Sequence, residues 1–548
     1  MTDVATVAES ARDEIFRLAA EALGRLAPGI PVDLGRAMLH HLFGALPSAE
    51  LAAEPAEGMA AAVAGLLDLA RERPPGEARV RVLPPGPGRG PHAVAEIVTD
   101  DMPFLVDSAL AALARQGRVV RQLLHPVLPV TRDAAGRLTA IDAPGGAAES
   151  MMRITLGAAP APMLAGVALP GAGDWAALEA ALARAMADVR VAVTDFPAMA
   201  ALLREAADAA GGVGRAEGEF LAWLAGDNFV LLGHRRFAVG ADGTIGMVAA
   251  ENLGLLRDPA VPVFDALRDL DAVPPAVRAT LLDPPLLAVA KANMRSTVHR
   301  PQHADVVAVR VAGPGGRPDE RAAGVRIFLG LFAASAYNRN PRSIPWLAQK
   351  VDRILGAAGY DPEAHDGRAL RNILDTWPRD ELFQAPDDAI LAAARRALDL
   401  QVRPRAALVV RRDSYGRFAS CIAWLPRDTF DTRLRERVGA MLARAFGGRL
   451  SAFYIALGDA PLARVHYIIA TDPANPVAVD EPLLEAAIGQ AARGFQDRLA
   501  EALAAERGEA GAAAALARWR DAFPAGYRDG ATGAEGAADL ALAERALA

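Results

Sequence analysis

The amino-acid sequence predicts a multidomain protein of the α+β class. The chain has 548 residues, which is enough for three or four domains of ordinary size. Apolar residues make up 52% and charged residues 23% of the chain, so several well-packed cores can form. Strand-like segments occur in groups, and long segments with helical spacing separate the groups. This grouping is typical of separate sheets that helices cover and connect.

Composition also excludes several classes of protein. The net charge of -7 argues against nucleic acid as the main partner. The sequence contains no run of 18 apolar residues, and Met1-Thr2-Asp3 lacks the pattern of a signal peptide, so we expect a cytoplasmic protein with no membrane partner. The single cysteine, Cys421, cannot form an internal disulfide and is expected to be buried in a strand.

The first strand-rich region follows a helical segment over residues 1–75. In residues 76–192 the predicted order is strand, helix, strand, strand, helix, which is the outline of a ferredoxin-like unit. A short strand at 79–83 precedes this order. The strands are expected at 92–98, 118–130 and 151–156, and the helices at 103–116 and 175–189.

Two further groups of strands follow. A helical connector over 193–225 leads to a mainly antiparallel region over 226–335, and a second connector covers 336–401. Residues 402–480 form another sheet-plus-helix unit, and 481–548 return to helix. The strands of these two groups are expected at 228–239, 286–290, 305–311, 324–332, 405–412, 417–425, 450–457 and 463–470, with a helix at 432–446.

Motifs for phosphate, dinucleotide or metal binding are absent from the sequence in usable form. The run Gly86–Pro91 begins like a dinucleotide fingerprint, but its sixth residue is Pro91 and no helix follows, so it reads as a loop. Pro301 separates His299 from His303 and breaks the helix that a shared metal would need. We therefore expect no cofactor and no metal in this chain.

The segment Thr99–Ser108, TDDMPFLVDS, is a candidate site for an amino-acid effector. Backbone N–H groups at a helix start attract a carboxylate, and acidic side chains there favour an ammonium group. The simpler alternative is that Asp100 or Asp101 only caps the helix. The candidate effector-binding residues are Asp100, Asp101, Met102, Phe104 and Asp107.

The segment Ala336–Pro345, AYNRNPRSIP, follows an apolar strand and carries several hydrogen-bonding side chains. It could bind an anion, or it could join two domains through pairs of arginine and carboxylate. The joining role is the favoured interpretation. Its candidate residues are Asn338, Arg339, Asn340 and Arg342.

Several segments together resemble the N-terminal region of the very large bacterial NAD-dependent glutamate dehydrogenases. The resemblance runs in order from about residue 15 to residue 548. It rests on TDDMPFLVDS at 99–108, NFVLLG at 228–233, 332–345, PRDELF at 378–383, RRDSYGRF at 411–418 and DAFPAGYR at 521–528.

This resemblance implies ACT-like regulatory domains of βαββαβ type at 76–192 and 402–480, and a PAS-like middle domain at 226–335. It implies that the dehydrogenase domain with its NAD site lies in a further part of the same polypeptide, so that no catalytic residue falls in this chain. A homo-oligomer is expected. The alternative is a free-standing ACT-like protein that senses an amino acid without catalysis.

Overall fold

A computed structural model describes residues 2–86, 91–157, 174–263, 278, 282–313, 322–413, 416–458, 460–472, 475–519 and 521–547. The chain divides into two compact units, Met1–Tyr337 and Asn338–Ala548. Helices and antiparallel sheets occur in both units, which confirms the mixed α+β class. Within the described ranges, no helix is long and apolar enough to cross a membrane.

Four helices open the first unit and pack on one another and on a sheet. The last three each begin directly after a proline, whose fixed φ angle favours a helix start. Their shared core reaches Val98 and Met151 of the sheet below. The helices are α1 (Thr2–Leu26), α2 (Val32–Phe43), α3 (Ser48–Ala53) and α4 (Ala56–Ala70).

The first sheet has six antiparallel strands in the order β1-β2-β6-β4-β5, with β3 also paired to β6. Side chains alternate between its faces, so Val98 points towards α1–α4 and Ile97 points away from them. Helices α5 (Leu105–Arg115) and α6 (Trp175–Gly211) pack together, and α6 packs on β1. The strands are β1 (Arg79–Leu83), β2 (Val94–Asp100), β3 (Val120–Leu124), β4 (Val127–Arg132), β5 (Leu138–Ile141) and β6 (Ala147–Leu156).

The structure corrects the prediction of this sheet in three places. The single strand expected over 118–130 is two strands, because Pro126 has no N–H to donate to a neighbouring strand. Helix α5 begins at Leu105 and not near Pro103. Strand β1 lies at the edge beside β2, so the order is ββαββα, with a β4–β5 hairpin inserted, and not βαββαβ. The edge strand of this sheet is therefore β1, which precedes β2 in the chain, and not a strand that follows the second helix.

A second antiparallel sheet completes the first unit, in the order β10-β11-β12-β7-β8, with β9 paired to β7. Helix α7 (Arg215–Trp223) precedes it and the short α8 (Ala334–Asn338) follows it. Three of the four longer strands occur within two residues of their predicted bounds, and the strand predicted at 286–290 continues to Arg295. The strands are β7 (Phe229–Val239), β8 (Ile245–Met247), β9 (Leu253–Gly254), β10 (Leu287–Arg295), β11 (His303–Val311) and β12 (Gly324–Phe332).

The second unit contains a four-stranded antiparallel sheet in the order β13-β14-β16-β15. The strands are β13 (Ala407–Arg412), β14 (Phe418–Pro426), β15 (Arg449–Ala456) and β16 (Leu462–Ala470). Four helices precede them: α9 (Pro345–Ala358), α10 (His365–Asp375), α11 (Arg379–Gln384) and α12 (Asp387–Val402). The remaining helices are α13 (Thr432–Ala445), α14 (Glu481–Ala491), α15 (Phe495–Trp519), α16 (Ala525–Gly530) and α17 (Gly533–Leu547).

This sheet repeats the ββαββα order of the first sheet. Helices α13 and α14 pack on the face that carries Cys421 and Tyr467, and Cys421 is buried there as expected. The buried residues Leu484 and Ile488 of α14 belong to the same core. Helix α14 therefore packs with the sheet, although the sequence placed it in the helical segment that begins at 481.

Candidate effector-binding site

The register of the first sheet places two carboxylates side by side at the end of β2. Asp100 and Glu149 are direct partners on neighbouring antiparallel strands, so both side chains point to the α1–α4 face. Like charges directly opposite each other destabilise a sheet unless cations lie between them. Three arginines supply those cations: Arg73, Arg132 and Arg190.

The arginines reach the carboxylates from three different elements. Arg73, just after α4, donates from Nη2 to Asp100 Oδ1 at 2.6 Å and to Glu149 Oε1 at 2.7 Å. Arg132 on β4 forms a two-pronged pair with Glu149, at 2.7 and 2.8 Å. Arg190 on α6 contacts Asp100 Oδ2 at 2.6 Å. The cluster thereby ties the N-terminal helices, the sheet and α6 together.

These arginines decide the ionisation of both acids. Burial by itself would raise the pKa of Glu149, but the hydrogen bonds and charges of Arg132 and Arg73 outweigh it, and the pKa lies below the ordinary value. Burial acts in the same direction on Asp100, where Arg73 and Arg190 again lower the pKa overall. Both carboxylates are therefore ionised at neutral pH and fully occupied by protein partners.

The turn after β2 has unusual backbone geometry. Phe104 precedes α5 in the left-handed region with φ 72°, and it supplies no side-chain cap. A bulky residue costs about 1–2 kcal/mol in this conformation. The prediction that Asp100 or Asp101 caps the helix is wrong, because the helix begins beyond their reach and Phe104 occupies the cap position.

A loop from the second sheet of the same unit packs on this turn. His299 Nδ1 lies 2.9 Å from Asp107 Oδ2, and its backbone N–H donates to Ser108 Oγ at 3.0 Å. The ring of His299 lies over Phe104 with 5.0 Å between ring centroids. His299 is itself left-handed, with φ 63°. Two strained residues therefore support each other at the start of α5.

The structure divides the five predicted effector residues among different contacts. Asp100 belongs to the arginine cluster, while Asp107 and Phe104 contact His299. Met102 is half-buried and Asp101 is exposed, with its backbone N–H donating to Ala148 O at 3.0 Å. Of the three acidic side chains, only that of Asp101 makes no hydrogen bond to the described part of the chain.

Sequence reasoning missed the arginine cluster and His299. Arg73 lies 27 positions before Asp100 and 76 before Glu149 along the chain, and no local spacing links such positions. His299 is separated from Asp107 by 192 positions. The useful signal was the placement of acidic residues at the ends of two predicted strands, because buried carboxylates need cationic partners.

The second candidate segment makes local contacts in the second unit. Asn338, Arg339, Asn340 and Arg342 are all exposed. The Asn340 side chain accepts from the N–H of Arg342 at 2.8 Å and caps a short 3-10 turn. The carbonyl of Arg339, and not its side chain, accepts a hydrogen bond from the buried Arg379 at 2.9 Å. A joining role for these side chains stays a prediction.

Two of the segments that carry the family resemblance meet in the second unit. Glu381 of PRDELF accepts two hydrogen bonds from Arg411 of RRDSYGRF, at 2.6 and 2.7 Å. Beside them, Ser420 Oγ lies 2.7 Å from His466 Nε2, and Glu381 is 3.9 Å from the same nitrogen. A catalytic triad would place the carboxylate on the other nitrogen of the histidine ring. This buried group therefore reads as a structural tie between α11 and the sheet.

The described residues form no group of three or more His, Cys, Asp or Glu side chains that could hold a metal. The fingerprint-like run at Gly86–Pro91 lies partly outside the described residues, as do positions 414 and 415 of RRDSYGRF.

Four segments match models of glutamate dehydrogenase domains, and together they span more than half of the chain. Residues 38–163 match the ACT1 domain and 407–496 the ACT2 domain. Residues 344–403 match helical motif 1 and 502–546 helical motif 2. The ACT1 match contains the first sheet with Arg73 and Arg132 of its arginine cluster, and the ACT2 match contains the second ββαββα sheet together with α14.

Curated relatives are named NAD-specific glutamate dehydrogenase. The chain is 31% identical over 512 residues to that of Halomonas elongata, covering 89% of this chain and 31% of the relative. The relative from Pseudomonas aeruginosa is 32% identical over 457 residues, 80% of this chain and 27% of its own length. The relative from Mycobacterium tuberculosis is 30% identical over 501 residues, which cover 86% of this chain and 29% of the relative. The chain thus spans under a third of each relative, and through its ACT and helical-motif domains it belongs to the glutamate dehydrogenase family.

Proposed function

We propose that this chain is the regulatory and assembly portion of an NAD-specific glutamate dehydrogenase. The complete enzyme would convert L-glutamate, NAD and water into 2-oxoglutarate, ammonia and NADH. The observation that carries the proposal is the pair of ACT matches, each on a sheet of the same ββαββα order. Hydride transfer and NAD binding would belong to sequence that the relatives have and this chain does not cover. The PAS-like assignment of the second sheet of the first unit is part of this proposal.

The turn at 99–108 is the proposed place where an amino-acid effector acts. The ammonium group of the effector would bind the exposed carboxylate of Asp101, and the carboxylate of the effector would accept hydrogen bonds from backbone N–H groups near the start of α5. Binding would then bear on the Phe104–His299 contact, which links this turn to the loop before β11. An effector can shift the equilibrium between two conformations only by binding one of them more tightly than the other. The Phe104–His299 contact joins two residues with left-handed backbone, and we propose that it is the contact that differs between the two conformations.

A thermal-shift screen of the twenty amino acids with the purified chain tests effector binding. A ligand at a hundredfold excess over its dissociation constant adds about 2.7 kcal/mol of stability. We expect one or a few amino acids to raise the melting temperature, and Asp101→Ala to remove that response. If no amino acid shifts the wild-type chain, the turn serves structure alone.

Two assays test the assignment to the enzyme. Purified chain with glutamate and NAD should produce no NADH, as followed by absorbance. When a dehydrogenase polypeptide of the family is supplied, the chain should associate with it in size-exclusion chromatography. Glutamate-dependent NADH formation by the chain alone would contradict the proposal. An amino-acid response without any such association would favour the free-standing sensor.

A further inference from the structure

A cavity of about 690 Å³, lined by apolar residues and by several charged side chains, lies between the N-terminal helices and the α1–α4 face of the first sheet. Its size is that of a site for a small metabolite. Small residues of α4 line one wall, among them Gly58, Ala62 and Gly65, so the helix leaves space above the strands. The opposite wall carries Glu96 of β2 and Arg153 of β6. The cavity is separate from the turn at 99–108.

Strand register sets three charges in a row across this wall. Arg81, Glu96 and Arg153 are consecutive partners on β1, β2 and β6. Arg81 donates from Nη2 and Nε to Glu96 Oε2 at 2.7 and 3.2 Å. Glu96 is 1% exposed, and its ion pair with Arg81 supplies the opposite charge that this buried carboxylate needs.

Within this row, Arg153 is the cation that has no carboxylate of its own. Its Nε is buried and has no hydrogen-bond partner among the described residues. The nearest carboxylate oxygen, Glu96 Oε1, lies 3.8 Å away, beyond hydrogen-bonding distance. Burial lowers the pKa of this guanidinium against the opposing charges of Glu96 and Glu54. The Arg153 side chain is 19% exposed, and a largely buried charge without hydrogen bonds is costly, so a ligand with a matching acceptor would stabilise it.

We propose that this cavity binds a small carboxylate and that Arg153 holds its carboxylate group. The planar guanidinium donates two parallel hydrogen bonds in the geometry that a carboxylate accepts. Gln122, which donates to Glu54 at 3.2 Å, lies beside Arg153 in the same cavity and offers a further amide. Glu50 and Glu54 at the wall oppose anions of higher charge, and Arg121, the other arginine of the wall, is exposed. We therefore expect a monocarboxylate or a zwitterion to bind more tightly than phosphate.

Isothermal titration calorimetry and thermal shift on the full chain test the site, with acetate, propionate, alanine and glutamate as probes and inorganic phosphate as the contrasting anion. We expect at least one carboxylate to bind, and Arg153→Met to weaken its binding at least tenfold. Arg153→Lys keeps the charge but not the paired donors, so its affinity should fall between those of the wild type and Arg153→Met. Arg137→Gln, at an arginine 65% exposed, is the matched control and should bind as the wild type does.

Stability without ligand gives a second readout. Because Glu96 keeps Arg81, removing Arg153 leaves no buried charge unmatched, and Arg153→Met should melt at the same temperature as the wild type or higher. A melting temperature several degrees lower would show that Arg153 serves packing, and would overturn the proposal. The same conclusion would follow if none of the four carboxylates bound, if binding survived Arg153→Met, or if phosphate bound as tightly. Asp101→Ala should leave binding in this cavity unchanged, which separates it from the effector turn.

Discussion

The first sheet and the sheet of the second unit have the same order of elements along the chain, but their charged side chains are covered differently by the neighbouring helices. In the second unit, α11 brings Glu381 onto the sheet, where it forms a two-pronged pair with Arg411. In the first unit, the covering helix α4 presents glycines and alanines, and Arg153 is left facing a cavity. One covering helix thus closes its sheet, and the other leaves room for a ligand. Shared topology therefore says little about which face can bind.

The largest effect should appear when Glu381, the buried acid on the sheet of the second unit, is neutralised. Glu381→Gln leaves Arg411 buried without its counter-charge, and such a loss typically costs about 3–5 kcal/mol. Urea unfolding followed by tryptophan fluorescence will report it, since Trp377 and Trp424 lie next to each other in this unit. Glu436→Gln, at an exposed acid of the same unit, should change stability by less than about 0.5 kcal/mol. Equal effects of the two substitutions would show that the Glu381 pair is not needed to close the face.

Acid should weaken the first sheet through Asp100 and Glu149. Both have lowered pKa values in the folded state, so the stability they add is complete above their unfolded values of about 4 and is lost as the pH falls below them. Melting curves between pH 6 and pH 3 should show a smaller acid loss in Glu149→Gln than in the wild type. Parallel curves would mean that the arginine cluster does not hold Glu149 ionised.

Raising the pH should stabilise the second unit through Lys350. Lys350 is buried beside Ala385 O at 2.5 Å, and burial lowers its pKa to about 8. Between pH 8 and about 10.4 the unfolded chain binds more protons at this residue than the folded chain does, so its contribution to stability rises with pH. We expect the stability difference between the wild type and Lys350→Met to shift by about 1 kcal/mol or more in favour of the wild type from pH 8 to pH 10. A constant difference over that range would place the pKa of Lys350 near its ordinary value.

The sequence predicted the parts of both sheets that depend on local pattern. Alternating apolar residues located the strands, and the helical spacing at 432–446 located α13. What the pattern could not supply was pairing between distant positions. Placing β1 at the edge of the first sheet, or Arg73 next to Glu149, requires knowledge of which strands meet. The segments PRDELF and RRDSYGRF, which carry the family resemblance, lie within the matched helical motif 1 and ACT2 domain. Only the fold shows that the two segments contact each other through Glu381 and Arg411.

The left-handed backbone conformation of Phe104 could not be predicted from the local sequence either. Thr99-Asp100-Asp101 before a proline has the composition of a helix start, and the helix was therefore predicted to begin near Pro103. Packing of His299 on Phe104 instead holds Phe104 at φ 72° and delays the helix to Leu105. Contacts with His299, which lies 192 positions beyond Asp107 in the sequence, thus override the local preference at this turn.

The smallest expected effect compares the two strand-to-helix turns of the ACT domains. In the second, Asp431 caps α13 in the ordinary way, and its side chain accepts from the Leu434 N–H at 2.6 Å. In the first, Asp101 caps nothing. Asp431→Ala should therefore cost about 1 kcal/mol of unfolding free energy, whereas Asp101→Ala should cost only a few tenths. Chemical denaturation of both variants beside the wild type measures the difference, and the amino-acid screen then asks which variant loses its response. We expect Asp101→Ala to keep its stability and lose the response, and Asp431→Ala to do the reverse. If Asp101→Ala is destabilised as much as Asp431→Ala, Asp101 has a structural role, and its exposed carboxylate is not held in reserve for an effector.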